Sequence, residues 1–385
     1  MCTAACFHPH DFYFGRNLDY ECSYGESITL TPRGYRFALR CMGEMHTRYA
    51  ILGMAHVAGE YPLYYDAFNE TGLCIAGLNF VGNAAFFAPV PGKTNITTFE
   101  LIPWLLGTCA DLQQARKALQ NLNLVSIPFS DQLPLSQLHW MIADRTGCLV
   151  LESTADGLHI YENPAKVLAN NPPFPQQMAH LNCYRSLSVS TPAEASFAPG
   201  LSLPALSRGM GAMGLPGDLS SPSRFVRAAF TAGNSLCGAD EASAVNQFFH
   251  ILTSVEQQRG CCRLDSEEYE ITIYSSCCNA DKGIYYYTTY ENRQITAVEM
   301  QRCDLDSQKL QSWPMLQRSS ILLQNYALPN LFFAPCRTRP GHFCALCHIQ
   351  TGRRCAILQE CDDSHRTVTI RSQRKKAALR RPCLF

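Results

Sequence analysis

Met1-Cys2-Thr3-Ala4-Ala5-Cys6-Phe7-His8 opens the chain, and Phe12-Tyr13-Phe14-Gly15-Arg16-Asn17-Leu18-Asp19 follows almost at once. The pair reads as a strand leaving Cys2 that turns and carries a cation and a carboxylate back towards the terminus. A small side chain at position two permits removal of the initiator Met, which would leave one residue bearing both a thiol and a free amine. An α-amine titrates near ~7.7–8.0 and a thiol near ~8.5, so the neutral amine can act as base for its own sulfur. Arg16 would favour the thiolate, and Asp19 would accept a hydrogen bond from the amine. Taken alone, these residues equally describe an ordinary Met-Cys start and an exposed turn with an Arg–Asp pair.

Outward from that hairpin, Ser27-Ile28-Thr29-Leu30, Tyr49-Ala50-Ile51-Leu52 and the run Gly72 to Phe80 read as strands. Two helices are expected, Thr98 to Gly107 and Asp111 to Leu122; in the second, Leu112, Ala115, Leu119 and Leu122 share a face behind an Asp N-cap. A meander follows, Leu138 to Ala143, Cys148 to Glu152 and Leu158 to Tyr161, punctuated by Asp144-Arg145-Thr146-Gly147 and Ala155-Asp156-Gly157. A Pro/Gly/Ser-rich loop spans Thr191 to Ser223. Helices at Ser223 to Phe230 and Asp240 to Gln258 lead to strands at Tyr269 to Ser275, Gly283 to Tyr290 and Gln294 to Met300. Strands, two helices, strands, two helices, strands is an α+β order, suited to antiparallel sheets covered by helices. No linker divides residues 1–317, which are read as one domain.

Of 385 residues, 46% are hydrophobic and 17% charged, a globular balance. No apolar run reaches the roughly 18 residues of a membrane span, and the N-terminus lacks the basic and apolar regions of a secretory signal. The expectation is a cytoplasmic protein. Basic and acidic side chains number 32 each, yet 318–385 holds twelve of the basic and three of the acidic ones. The body is therefore acidic, which argues against a nucleic-acid partner. Twenty cysteines scattered through so long a chain are expected to be reduced, and Cys261-Cys262 and Cys277-Cys278 to be unbridged.

The motifs resemble the choloylglycine hydrolases, the bile salt hydrolases and penicillin V acylases among the N-terminal nucleophile hydrolases. The resemblance covers roughly residues 2–315. It runs through Met1-Cys2-Thr3, Phe14 to Asp19, Ala76-Gly77-Leu78-Asn79-Phe80, Val167-Leu168-Ala169-Asn170-Asn171-Pro172 and Gly214 to Phe225, then Phe248 to Leu252 and Lys282 to Tyr287. It implies a four-layer αββα sandwich. It also makes Cys2 the nucleophile, arranged by Arg16 and Asp19, places Asn79 and Asn170 at the substrate carbonyl, and gives Arg224 a part in the site's electrostatics. No metal or organic cofactor is implied.

Asn79 and the stretch Leu206 to Asp218 resemble the bile salt hydrolases within the family, so the implied substrates are glycine- or taurine-conjugated bile salts. By position Leu18, Ala58, Tyr65, Phe129 and Leu133 would line the acyl pocket, although core packing would explain some of them equally well. Penicillin V acylase, another N-acyl amidase, or an acyltransferase using the same thioester remain alternatives. A zinc or redox protein is the alternative suggested by the cysteines. The resemblance suggests a homotetramer, with 191–222 as a contact. Residues 318–385 leave the family pattern. Their Cys336, Cys344, Cys347, Cys355, Cys361 and Cys383, with His342, His348 and His365, give only a weak zinc signal, and disorder or an unrelated appended segment is the expectation.

Overall fold

Cys2–Phe7 and Tyr13–Tyr20 form the expected antiparallel hairpin, with Cys2 opposite Leu18 and Ala4 opposite Arg16. That register returns Arg16 and Asp19 to the neighbourhood of residue 2. Gly15 is required by the next strand: a Cβ there would stand 2.0 Å from the backbone oxygen of Ser276.

The computed structural model describes residues 1–192, 195–319, 321–323, 325, 350–351 and 354–355. The chain divides into two units, Met1–Ser320 and Ile321–Phe385. In the first, a six-stranded sheet runs, edge to edge, through Val167–Leu168, Cys2–Phe7, Tyr13–Tyr20, Ile271–Asn279, Ile284–Thr289 and Thr296–Glu299. An eight-stranded sheet runs through Gly157–Glu162, Gly147–Thr154, Leu138–Asp144, Cys74–Asn79, Tyr61–Asn69, Ile51–Ala58, Ser27–Thr31 and Gln311–Pro314. Neighbouring strands pair antiparallel in both sheets.

Alternation along the strands builds the layers. Ile75, Trp140, Ile142, Leu149 and Leu151 face helices α1 (Leu101–Thr108) and α2 (Leu112–Leu119), meeting Leu101, Leu105, Leu112, Ala115 and Leu119. The intervening Cys74, Ala76, Leu78, Met141 and Val150 belong instead to the core shared with the six-stranded sheet. Beyond α3 (Phe174–Leu181), helices α4 (Ser221–Asn234) and α5 (Glu241–Thr253) bring Phe225, Ala228, Val245, Phe248 and Leu252 to that same core. Each buried Leu or Phe contributes about 1.5–3 kcal/mol, whereas exposed pairs such as Arg36–Glu44 contribute at most about 1 kcal/mol. These two apolar cores therefore hold the αββα sandwich.

Asp111 caps α2 by accepting from the Gln114 N–H at 2.8 Å, as expected, but the helix ends at Leu119. Leu122–Val125 instead pairs in parallel with Thr94–Thr97, so Leu122 is buried as a strand residue. Short α3 was not expected, nor were the hairpins Arg36–Leu39 with Gly43–His46 and Ala195–Ala198 with Leu201–Leu203. The cysteines from Cys2 to Cys303 are free, including Cys261, Cys262, Cys277 and Cys278. No helix among the described residues is long and apolar enough to cross a membrane. In the second unit Gln350–Thr351 pairs with Arg354–Cys355; the other cysteines and the histidines noted for the tail lie outside the described residues.

Candidate active site

Both Cys2 and Arg16 are buried, at 4% and 0% exposure, and an Arg16 guanidinium nitrogen donates directly to the Cys2 sulfur. Three backbone carbonyls hold the rest of the guanidinium: Gly77, Tyr65 at 3.3 Å and Asn17 at 3.3 Å. Burial works to discharge Arg16, but Cys2, Tyr274, Asp66 and Asp19 outweigh it and raise its pKa. The guanidinium is thus a fixed cation against the Cys2 sulfur.

The Cys2 backbone N–H donates to Asn170 Oδ1 at 2.7 Å. Arg224 Nη2 donates to the same oxygen at 2.7 Å, while its Nη1 reaches the Cys2 carbonyl at 2.6 Å and Thr3 Oγ1. Two donors converging on one atom settle which end of the Asn170 amide is oxygen. The other end, Nδ2, donates to the Asn79 backbone oxygen at 2.7 Å. The sequence reading had both asparagines offering an amide N–H to a substrate carbonyl; in this geometry that of Asn170 is committed to Asn79, and its oxygen faces Cys2. The Asn79 side chain makes no hydrogen bond to any described residue and lies on a cavity wall.

Asn170 is itself held tightly. Its N–H donates to Ser221 Oγ at 2.8 Å, and Gln177 Nε2 donates to its carbonyl. One residue earlier, the Ala169 carbonyl meets His139 Nε2 at 2.9 Å, and His139 Nδ1 meets Glu152 at 3.0 Å, both side chains fully buried.

Asp19 Oδ1 accepts from Thr272 Oγ1 at 2.6 Å, Arg224 lies 3.9 Å from Oδ2, and Oδ2 has no hydrogen-bond partner among the described residues. Burial pushes the Asp19 carboxyl up, opposed by Arg224, the N-terminal amine, Thr272 and Arg16. Met1 extends the hairpin: its amine donates to the Asp19 carbonyl at 2.7 Å and pairs with Glu270, and its carbonyl accepts from the Asp19 N–H at 2.9 Å. While Met1 is attached, the Cys2 nitrogen is a peptide nitrogen and cannot act as a base.

Cys2, Arg16, Asp19 and Asn79 open onto a cavity of about 510 Å³, within the usual range for small-molecule sites. Leu18, Tyr65, Phe129 and Leu133 line it. Ala58 does not. It pairs with Tyr61 beside the turn at Gly59, two residues past His56, which is the lining residue of that strand; at about 3.3 Å per residue the strand has by then passed the cavity. Sequence reading missed Leu63, Phe99, Ile102 and Trp140 on the wall, and Thr3, Thr272, Gln177 and Ser221 behind it. Thr272 and the buried Asp66, which binds Tyr274, Ser276 and Tyr285, interrupt apolar strands, a signal that was there to use.

A two-sheet αββα sandwich of this kind, opening with a cysteine strand, defines the class of N-terminal nucleophile hydrolases. Residues 2–313 match the family model described as linear amide C–N hydrolases, choloylglycine hydrolase family. The bile salt hydrolase/transferase of Lactiplantibacillus plantarum is 54% identical over 315 residues, 82% of this chain and 97% of that protein. The bile salt hydrolase/transferase of Clostridium perfringens is 38% identical, over 83% of this chain and 99% of its own. Crystal structures of two variants of the conjugated bile acid hydrolase from Clostridium perfringens superpose with a TM-score of 0.78 at 37% identity, covering 84% of this chain and 100% of theirs. The penicillin V acylase of Agrobacterium tumefaciens, at TM-score 0.66 and 16% identity over 81% of this chain and 90% of its own, shares the fold. This chain belongs to the choloylglycine hydrolase family and is a hydrolase of linear amide bonds.

Proposed function

We propose that the protein cleaves the amide of glycine- or taurine-conjugated bile salts through a thioester on Cys2. The observation that carries this is a thiol at the floor of a largely apolar cavity, with a guanidinium on the sulfur and an asparagine oxygen on the nitrogen of the same residue. The 54% identity to a bile salt hydrolase/transferase supports the substrate.

Once Met1 is removed, the Cys2 amine takes the thiol proton and the sulfur attacks the amide carbon, placing negative charge on the carbonyl oxygen. The free Asn79 amide is the donor for that charge; a donor of this kind lowers the barrier by ~2.7–4 kcal/mol. Collapse breaks the C–N bond, and the departing glycine or taurine takes the proton from the Cys2 ammonium. Water, deprotonated by the same amine, attacks the thioester and releases the bile acid. Asn170 and Arg224 hold the amine in line, Arg16 holds the thiolate, and Asp19 Oδ2 is the acceptor left for the amine's remaining N–H.

Incubation with glycocholate, taurocholate and penicillin V, beside a Cys2→Ser variant, tests this reading. Release of glycine or taurine by the parent alone supports it; faster turnover of penicillin V than of both bile salts refutes the substrate choice. Capture of the thioester by an amine in place of water is a second reading, favoured by the transferase in the relatives' names; product analysis in excess amino acid separates the two. The proposal includes a cytoplasmic homotetramer. Phe197, Leu206 and Met213, exposed by 79%, 91% and 71%, support the 191–222 segment as its contact.

A further inference from the structure

Three residues that line the cavity each hold a buried side-chain atom with no hydrogen-bond partner among the described residues: Asp19 Oδ2, His56 Nδ1 and Trp140 Nε1. Asp19 belongs to the catalytic end. The other two have no part in the chemistry, and an unpaired buried polar group costs about 1–3 kcal/mol. Trp140 is fully buried and stands opposite Gly77 in the neighbouring strand. A Cβ on residue 77 would lie 3.1 Å from the indole Nε1 and 3.3 Å from Cδ1. Both residues line the cavity, and a side chain at residue 77 would abut the N–H edge of the indole.

An indole N–H only donates, a neutral imidazole nitrogen donates or accepts with its tautomer, and a hydroxyl does both. Two such groups on a mostly apolar wall match an apolar ring system carrying isolated hydroxyls. Resting on the bile-salt reading above, we propose that Trp140, with Gly77 giving it room, and His56 form a polar subsite that reads those ring hydroxyls by which glycocholate differs from glycodeoxycholate and glycochenodeoxycholate. The hydroxyl oxygen accepts from Trp140 Nε1, and His56 Nδ1 takes a hydroxyl in either sense. Specificity among acyl groups then follows from hydroxyl pattern as well as from apolar fit.

The test uses three substrates with one shared amide: glycocholate, and glycodeoxycholate and glycochenodeoxycholate, which each lack one of its hydroxyls. kcat/KM is measured for the full-length enzyme, Trp140→Phe, His56→Phe and Gly77→Ala. Trp140→Phe keeps the ring and deletes the N–H. It is expected to lower kcat/KM for glycocholate about three- to tenfold, the worth of one neutral hydrogen bond, while at least one substrate lacking a hydroxyl changes less than about twofold. Gly77→Ala, which fills the space before the N–H, is expected to move the substrate ratios in the same direction. His56→Phe should do so for the hydroxyl it meets, and these two variants decide the matter if Trp140→Phe does not fold. Equal loss for all three substrates, or unchanged ratios in every variant, overturns the subsite and leaves the bile-salt reading standing. Failure of the parent enzyme to cleave any of the three overturns both.

Discussion

Replacing Asn170 by Ala removes the acceptor on which the site is built. Asn170 Oδ1 receives the Cys2 N–H and an Arg224 nitrogen, each at 2.7 Å. The first is worth about 0.5–1.5 kcal/mol as a neutral bond and the second about 1.5–3 kcal/mol as a charged one. Together that is about 2–4.5 kcal/mol. At ~1.36 kcal/mol per tenfold, the rate loss would be about 30- to 2,000-fold if all of it is expressed in the transition state. Part will surface as lower stability, because Arg224 stays buried with one donor unpaired, so a fall in kcat of about 10²–10³ is expected together with a lower thermal midpoint. Asn170 lies behind Cys2 and not on the cavity wall, so KM should stay within about threefold by the logic that a lost transition-state interaction lowers kcat and kcat/KM alike. The assay is amino-acid release from glycocholate over a range of concentrations, with intact mass confirming that Met1 is gone. A processed Asn170→Ala enzyme whose kcat is within a few-fold of the parent would refute the assignment of Asn170 as the residue that orients the amine.

Gly15→Ala drives a Cβ to 2.0 Å from a backbone oxygen of the adjacent strand; overpacking of this sort costs typically 1–3 kcal/mol or more, and denaturant unfolding should show it. Burial raises the Asp19 carboxyl, and it must be ionised to accept from the amine, so the acid limb of kcat/KM is expected above the ordinary aspartate value of about 3.9 and should be absent in whatever activity Asp19→Asn retains. The same raised pKa means that the folded state binds this proton more tightly than the unfolded chain, so the group's contribution to stability declines as pH rises from the unfolded to the folded value. Truncation after residue 320 removes the unit Ile321–Phe385 and is expected to leave kcat/KM for glycocholate unchanged; loss of soluble, active enzyme would show that the segment supports the fold.

The order of elements and the first hairpin were legible because their signals are local: β-rich runs bounded by turn residues, and an Asp cap on α2. Helix α3 was not, since only Phe174 and Gln177 are buried along it and its entry, Asn170-Asn171-Pro172-Pro173, reads as a turn. Leu122 was assigned to the wrong element because it is buried in either conformation, and period alone cannot separate them at a helix end. Arg16 and Asp19 could be placed from the hairpin register. Asn79, Asn170 and Arg224 could not, because a strand end, the loop after Val167–Leu168 and α4, all remote in sequence from Cys2, bring them to the site, and only the resemblance of several motifs in order brought them together. The direction in which the Asn170 amide points depends on two donors that are distant in sequence, and no local pattern encodes it. Ala58 shows the converse: a residue can match the motif position while its strand has already run past the cavity.

The central claim is that the sulfur of residue 2 and the amine of that same residue perform the reaction, and rapid acid quench of the enzyme during glycocholate turnover, followed by peptide mass spectrometry, tests it most directly. The account predicts an N-terminal peptide that begins at Cys2 and carries the bile acyl group as a thioester, with no such adduct in Cys2→Ser. Turnover by protein that retains Met1, or an acyl adduct on any other residue, would contradict it.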